Sequence, residues 1–582
     1  MSQLITKEKN AQIIISLLKA HGIRLVVASP GTTNVALIGS IQNDPYFTIY
    51  SSVDERSAAY LACGLAEESG EPVVISCTGA TASRNYAPGL TEAYYRKLPV
   101  LAITSMQQFG RVGHNVAQVI DRSVIQNDVA KFSVELPVVK DAEDLWDCEV
   151  KVNKAILELT RNGGGPVHIN LPTTYTLPFE NKELPKYRVI NRVTVNDKMP
   201  ELSGRVAVFI GAHKKWTEEE TEVLDKFCET YNAVVFCDHT SGYKGKHRLL
   251  FSLVATQDVM DISQFKPDVM IHIGEVSGDY ASISLAGKSV WRVSEDGEIR
   301  DPFRKLRYVF DMREKDFFLT YSQKSIQSST QESNYFTECF EALESAKSNL
   351  PDLPISNIWV ASQIAHKIPG SSVVHLGILN SLRSWNFFEV PKSVSTSSNV
   401  GGFGIDGVLS TLIGSSLADP EKLNFCVLGD LAFFYDMNVM GNKHVGRNVR
   451  VLIINNGKGT EFRQYNHHAA YFGEGADELI AAAEHFGNKS SSLVKNYAEN
   501  LGFEYLSAAS KEEFALHTEK FLNAEITEQP ILFEVFTDSD EESKALELIR
   551  NISEDRAYKM KKKAKKMIGS TGMNVLRKTL KK

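Results

Sequence analysis

Asp430 and Asn456 are the residues whose types and spacing have the clearest chemical use. Each stands just past a short apolar run, Phe425-Cys426-Val427-Leu428 and Val449-Arg450-Val451-Leu452-Ile453-Ile454. Two such runs separated by polar and mixed sequence read as strand, crossover, strand. In an open α/β sheet, residues just beyond the C-terminal ends of parallel strands stand where ligands bind. A carboxylate and an amide oxygen at that edge suit a hard cation such as Mg²⁺. That ion takes one or two protein oxygens and leaves its other positions to phosphate and water. The same spacing also fits a turn aspartate and an asparagine pair ending a strand, with no ligand at all.

Three further groups carry chemistry. Glu55, in Val53-Asp54-Glu55-Arg56, follows the run Phe47–Tyr50 and opens a helix reaching Glu68. An acid there is ordinarily a cap or a dipole partner, and Asp54 competes with it for any special role. His114, Asn115 and Gln118 share the loop Gly113-His114-Asn115-Val116-Ala117-Gln118, where a histidine can move protons or simply face water. Arg463, His467 and His468 follow the second apolar run closely enough to meet a substrate, although a surface position accounts for them equally.

The elements that must position these groups repeat with one rhythm. Ala11–His21 has a helical stripe at Ile14, Leu17 and Leu18, stopped by Gly22. Arg24–Ala28 and Pro72–Cys77 read as buried strands, Gly79-Ala80-Thr81 turns into a helix reaching Lys97, and Val100–Thr104 and Pro166–Leu171 complete the set. Strands alternating with helices predict an α/β protein with doubly wound parallel sheets. The pattern recurs after each of two polar linkers, about 172–200 and 322–334. We therefore expect three such domains, 1–185, 200–320 and 355–537, and a charged, helical or disordered tail at 538–582. Helices are expected over Gly475–Phe486 and Val494–Leu501. In the middle segment Gly211 and Gly274 follow strands, but neither begins a G-x-G-x-x-G, so FAD or a dinucleotide is not expected there.

Composition narrows the class. Of 582 residues 43% are hydrophobic and 23% charged, which is ordinary for a soluble globular protein. Residues 556–582 hold nine Lys, two Arg and no acid, so against a net charge of −7 the remainder carries −18. So acidic a body argues against nucleic acid as partner. The basic tail, with Met560, Met567, Ile568, Val575 and Leu576 interspersed, fits a solvated segment, a contact with the acidic body or a second subunit, or contact with an anionic membrane face. The seven scattered cysteines contain no C-x-x-C pair and fit reduced thiols in cytoplasm. The polar N-terminus is no signal peptide, and no apolar run has the length of a membrane span.

Gly429-Asp430, a gap and Asn455-Asn456 resemble the signature of thiamine diphosphate (ThDP) enzymes. The variant Gly429-Asp430-Leu431 with Tyr435-Asp436-Met437-Asn438 is similar to one branch, the menaquinone-pathway synthase that adds a decarboxylated 2-oxoglutarate unit to isochorismate. Asn380-Ser381 and Gly404-Ile405-Asp406-Gly407 match that branch too. The resemblance covers about residues 5–537. It implies that Asp430, Asn456 and the Lys458 carbonyl hold Mg²⁺, and that Gly429, Leu431, Asn380, Ser381 and Gly404 line the cofactor. Ile405 would prop its bent form, and Glu55 would hydrogen-bond N1′ of its aminopyrimidine. It implies a 2-oxo acid donor, an acceptor, His114, Asn115 and Gln118 at the reaction centre, and a homodimer or homotetramer with active sites shared between subunits.

The acceptor motifs depart from that branch. Positions matching its substrate arginines carry Thr33, beside Asn34 in the Ser29–Asn34 turn, then Val400, and Trp385 near Arg383. Guanidinium forks recognise carboxylates, and Thr, Val and Trp do not replace them. The expected activity is therefore decarboxylation of a 2-oxo acid with transfer to an acceptor unlike isochorismate. A simple decarboxylase and a non-catalytic ThDP-binding homologue are the alternatives.

Overall fold

Alternation of apolar residues along the first strands decides how the N-terminal unit is layered. In the computed structural model, which describes residues 3–174, 178–324, 334–484 and 490–552, Leu25 and Val27 pack on one face of a sheet with Val73, Ile75 and Val100, against helices Glu55–Ser69 and Ala87–Tyr95. Val26, Val74, Leu101 and Ile103 point to the other face, against Lys9–Ala20 and Ala142–Glu158. Both faces are covered, as an all-parallel sheet requires.

This sheet has six parallel strands in the order Thr48–Ser51, Leu25–Ala28, Val73–Thr78, Val100–Met106, Val167–Pro172, Phe132–Glu135. Gly89 lets the two helices on its first face approach closely, since a Cβ there would lie 2.5 Å from that of Ala59.

The chain forms two compact units, 3–199 with 296–311, and 200–295 with 312–552. The stretch 172–200 contains strands as well as linker. Phe179–Lys182 pairs antiparallel with Gln3–Thr6, and Asn191–Thr194 pairs in parallel with Leu306–Asp311. Both are short and polar, without the apolar alternation that marks a strand in sequence.

The second unit holds two parallel sheets. One contains Arg248–Leu249, Val234–Cys237, Val206–Ile210, Val269–Ile273 and Ser289–Ser294. The other has six strands in the order Ser395–Ser398, Val373–Leu376, Asn424–Gly429, Val449–Asn455, Ile531–Phe536, Glu504–Ala508. Its core packs Val408, Leu409, Leu412 and Phe433 onto Cys426, Leu428, Val451 and Ile453.

Helix Leu493–Asn500 lies where periodicity placed one, whereas 475–484 forms no long helix. A 3₁₀ stretch, His468–Ala476, broken by Gly473 at φ 53°, ends in turns there, because two glycines interrupt the run. Helix Ser539–Ile549 is capped by Asp538; the basic tail from 553 onward lies outside the described residues. All seven cysteines are buried and unpaired. No helix among the described residues is long and apolar enough to cross a membrane.

Candidate active site

Strand register brings Asp430 and Asn456 to one edge. Gly429 pairs with Ile454, so both site residues project from the C-terminal tips of adjacent parallel strands. Asp430 opens helix Asp430–Asp436 and is only 3% exposed. Burial pushes its carboxyl up to about 7, although backbone N–H groups of Asp430, Leu431 and Gly457 favour the charged form. Among the described residues no lysine, arginine or histidine pairs with it.

The two adjacent asparagines have separate fates. Asn455 donates through Nδ2 to Glu534 Oε1 at 2.6 Å, and its carbonyl accepts from Thr537 N at 2.9 Å. Glu534, itself buried, also accepts from Tyr505 Oη at 2.7 Å. Asn456 Oδ1 is buried and has no hydrogen-bond partner. An orphaned amide oxygen beside a buried carboxylate with no cation is the donor set a hard divalent ion completes, so these residues fit Mg²⁺. Among the described residues no group of three or more His, Cys, Asp or Glu could hold a metal instead. The Lys458 carbonyl already accepts from Thr460 N at 2.8 Å and keeps one lone pair. A cavity of about 710 Å³ opens on Asn456 and Lys458, with Glu474, Asp477, Glu478 and Glu484 on its walls.

Around this edge lie the other cofactor candidates. Ser381 is buried, its hydroxyl accepting from Asn357 Nδ2 at 3.2 Å, and Asn380 Oδ1 accepts from Arg383. Leu379, just before them, holds φ 62°, which sharpens the turn into helix Asn380–Trp385. Ile405 is half-buried against the Val408 and Leu409 core, and Gly404 leaves room for the Asp406 carboxylate that a Cβ would strike. Leu431 is half-buried beside Asp430. Asp436, which the sequence did not single out for a task, accepts from Ser410 N at 2.6 Å and Ser410 Oγ at 2.5 Å, tying helix Val408–Ala418 to the aspartate's helix.

The cations near this edge are committed. Arg383 forks onto both oxygens of Glu461 at 3.1 and 2.9 Å. Arg463 pairs with Asp477 at 2.6 Å and Asp540 at 3.5 Å, and Lys458 Nζ with Asp477 at 2.7 Å. His467 Nδ1 accepts from Ala469 N, while His468 is exposed. Val400 and Trp385 are buried, at 3% and 0% exposure.

In the N-terminal unit Asp54 is the cap of helix Glu55–Ser69, accepting from Arg56 N and Ser57 N. Capping by its neighbour releases Glu55, half-buried in the first turn, where Oε2 accepts from Asn85 Nδ2 at 3.2 Å. Thr33 and Asn34 turn inward. The Thr33 hydroxyl donates to the Ser105 carbonyl at 2.6 Å and bonds Thr78 Oγ1, and Asn34 spans Ser29 and Ser76. Both residues are buried and hold the turn to the strand tips. His114, Asn115 and Gln118 lie in an exposed loop, with Asn115 and Gln118 at φ 55° and 62°. Sequence reading missed Glu534, Glu542 and Arg122, because their partners, or lack of them, are set by residues far away in the chain.

Comparison with known proteins places the chain in a family. Residues 8–125 match the thiamine pyrophosphate enzyme N-terminal TPP binding domain, and with its three parallel sheets the chain is a thiamine diphosphate-dependent, carbon–carbon bond-forming enzyme. Relatives extend over nearly the whole chain. The 2-succinyl-5-enolpyruvyl-6-hydroxy-3-cyclohexene-1-carboxylate synthase of Phocaeicola vulgatus is 30% identical over 568 residues, 93% of this chain and 98% of the relative. That of Bacteroides thetaiotaomicron is likewise 30% identical with the same coverage, and that of Flavobacterium johnsoniae is 27% identical over 486 residues, covering 78% of this chain and 84% of the relative. The chain belongs to the 2-succinyl-5-enolpyruvyl-6-hydroxy-3-cyclohexene-1-carboxylate synthase family.

Proposed function

We propose that the enzyme decarboxylates a 2-oxo acid and transfers the remaining acyl fragment to an acceptor other than isochorismate. The observation that carries the cofactor half of this reading is the buried Asp430 beside the orphaned Asn456 Oδ1. Together with the Lys458 carbonyl they would hold Mg²⁺ against the cofactor's diphosphate. Bound ThDP supplies the electron sink that lets the bond to CO₂ break. Glu55, freed by the Asp54 cap, would hydrogen-bond the aminopyrimidine ring through its side-chain oxygens. Ile405 would support the cofactor by packing, and Asn380, Ser381, Gly404, Gly429 and Leu431 would line the wall around it. His114, Asn115 and Gln118 face the substrates once a second copy covers their loop. A closed homo-oligomer follows, in which Glu55 of one copy and Asp430 of another serve one cofactor.

The acceptor half rests on what the former arginine positions now do. Thr33 is spent inside the sheet edge, Val400 and Trp385 are core, and Arg383 is neutralised by Glu461. Each lost charge-assisted hydrogen bond is worth roughly 1.5–3 kcal/mol. Two losses weaken the transition state for a dicarboxylate acceptor by about 10²-fold or more, at tenfold per 1.36 kcal/mol. A panel of 2-oxo acids, with and without candidate acceptors and read by CO₂ release and product mass, tests the reading. Acceptor-independent CO₂ release with only the aldehyde as product would make the enzyme a simple decarboxylase. A kcat/KM with isochorismate in the usual enzymatic range would refute the acceptor argument.

A further inference from the structure

Three arginines among the described residues are buried, and two are partnered. Arg292 donates to the Gly274 carbonyl and to Glu275, and Arg450 to the carbonyls of Arg447 and Val449. The third, Arg122, is 4% exposed, and its Nε, Nη1 and Nη2 all lack a partner. Burial pulls this guanidinium down to about 10, which is still charged at neutral pH. Glu135 acts on it electrostatically but forms no ion pair with it, and a buried, charged fork without a hydrogen bond is among the costlier features a fold can keep.

The backbone beneath it is well held. The Arg122 carbonyl accepts from Asn170 Nδ2 at 3.2 Å, and Asn170 Oδ1 accepts from Thr104 at 3.1 Å. On one side Asp121 forms a turn with Ser123, and its carbonyl accepts from Arg84 at 3.1 Å. The chain thus positions the residue and leaves its fork idle. Its fork lies beside Gly79, where a built Cβ would be 3.4 Å from Nη1 and 3.2 Å from the Ser105 carbonyl. That carbonyl is the one Thr33 uses, so the Arg122 fork and Thr33 both lie near the strand tip that ends at Ser105. Cys77, in the strand leading to that turn, lies within electrostatic reach of both Arg122 and Glu55. His168, neutral by burial and bonded to Thr104 and Ser133, offers no anion.

We propose that the Arg122 fork binds a carboxylate of the acceptor, supplying from the loop before Phe132–Glu135 the guanidinium that position 33 lacks. This rests on the carboligase reading. The carboxylate lost as CO₂ is an unsuitable tenant, because gripping it would stabilise the ground state against its own departure. The carboxylate held here survives the reaction. The mostly exposed stretch 107–118, which leads toward Arg122, is irregular apart from the Phe109–Arg111 turn.

The test uses the full chain loaded with ThDP and Mg²⁺, and calorimetry with benzoate as probe, benzamide as its uncharged counterpart and glutarate as a donor-like chain. Arg122→Gln should weaken benzoate about ten- to a hundredfold and leave benzamide and glutarate unchanged, and Arg122→Lys should recover part of the benzoate affinity. Its Tm should be no lower than wild type, because an unpaired charge has been removed. Unchanged benzoate affinity overturns the proposal, as does a loss confined to glutarate. A variant that melts lower, dissociates or fails to fold would show that the fork pairs within the protein or with a second copy, and also overturns it. Binding needs no turnover. An Arg122-dependent benzoate site in an enzyme that makes no acceptor-dependent product would refute the carboligase reading alone.

Discussion

Glu542 gives the sharpest test of how the fold supports the cofactor edge. It lies in helix Ser539–Ile549, 4% exposed, with its two oxygens accepting from Asn357 N at 2.9 and 3.1 Å and one from Thr537 Oγ1 at 2.8 Å. Asn357 in turn holds Ser381, so Glu542 braces the helix that carries two cofactor candidates. Burial pushes its carboxyl from 4.5 up to about 7; Arg383 opposes the rise and Asp430 adds to it. At 1.36 kcal/mol per unit, holding this group ionised costs the folded state about 3 kcal/mol. Because the folded value lies above the unfolded one, the native state binds more protons between them. Stability from this site is intact below pH 4.5, declines as pH rises to about 7 and is flat above. Glu542→Gln keeps an oxygen for the Asn357 amide and removes the charge. In denaturant unfolding the variant should match wild type at about pH 4 and exceed it by up to about 3 kcal/mol at pH 8. Buried acids remote from Glu542 titrate alike in both proteins and cancel in the difference; Asp430, which it repels, is relieved in the variant and shifts the difference in the same direction. A variant less stable at pH 8, or a difference that does not change with pH, would refute the reasoning.

The remaining predictions concern the cofactor. Asp430→Ala should abolish metal-dependent ThDP binding, and tight binding by this variant in calorimetry would sink the metal assignment. Glu55→Gln should fold and bind ThDP but lose exchange of the cofactor's C2 proton by orders of magnitude; wild-type exchange by NMR would remove Glu55 from its role. Mixing inactive Glu55→Gln and Asp430→Ala subunits should restore some activity, because one hybrid site carries both intact groups, whereas a monomer in light scattering would contradict a shared site.

Local pattern made much of this visible in the sequence. Strand, crossover and strand located Asp430 and Asn456, because an apolar run followed by a polar residue marks the end of a buried parallel strand. Pattern could not say which of Asn455 and Asn456 is free. Glu534 decides that by taking Asn455, and nothing near either asparagine signals it. Sequence alone left Asp54 competing with Glu55, and the structure shows Asp54 spent on the cap. Pairing of Asn191–Thr194 with Leu306–Asp311 was illegible, since neither segment alternates and they lie far apart in the chain. The buried Arg122 looked like any loop arginine, because what distinguishes it is the lack of a partner.

Charge near the cofactor edge points to how the diphosphate would be held. The cationic side chains there are already neutralised, Lys458 and Arg463 by Asp477 and Arg383 by Glu461. The cavity next to Asn456 adds further carboxylates at Glu474, Glu478 and Glu484. A diphosphate brought there without a metal would meet like charge and, among the described residues, no cation without a carboxylate partner, and like charges in a partly desolvated site repel strongly. A divalent ion on Asp430 and Asn456 reverses the sign of the field at that spot and satisfies the orphaned amide oxygen in the same step. On this reading cofactor affinity should collapse without metal rather than merely decline. That dependence follows from neighbouring salt bridges as much as from the two ligands themselves.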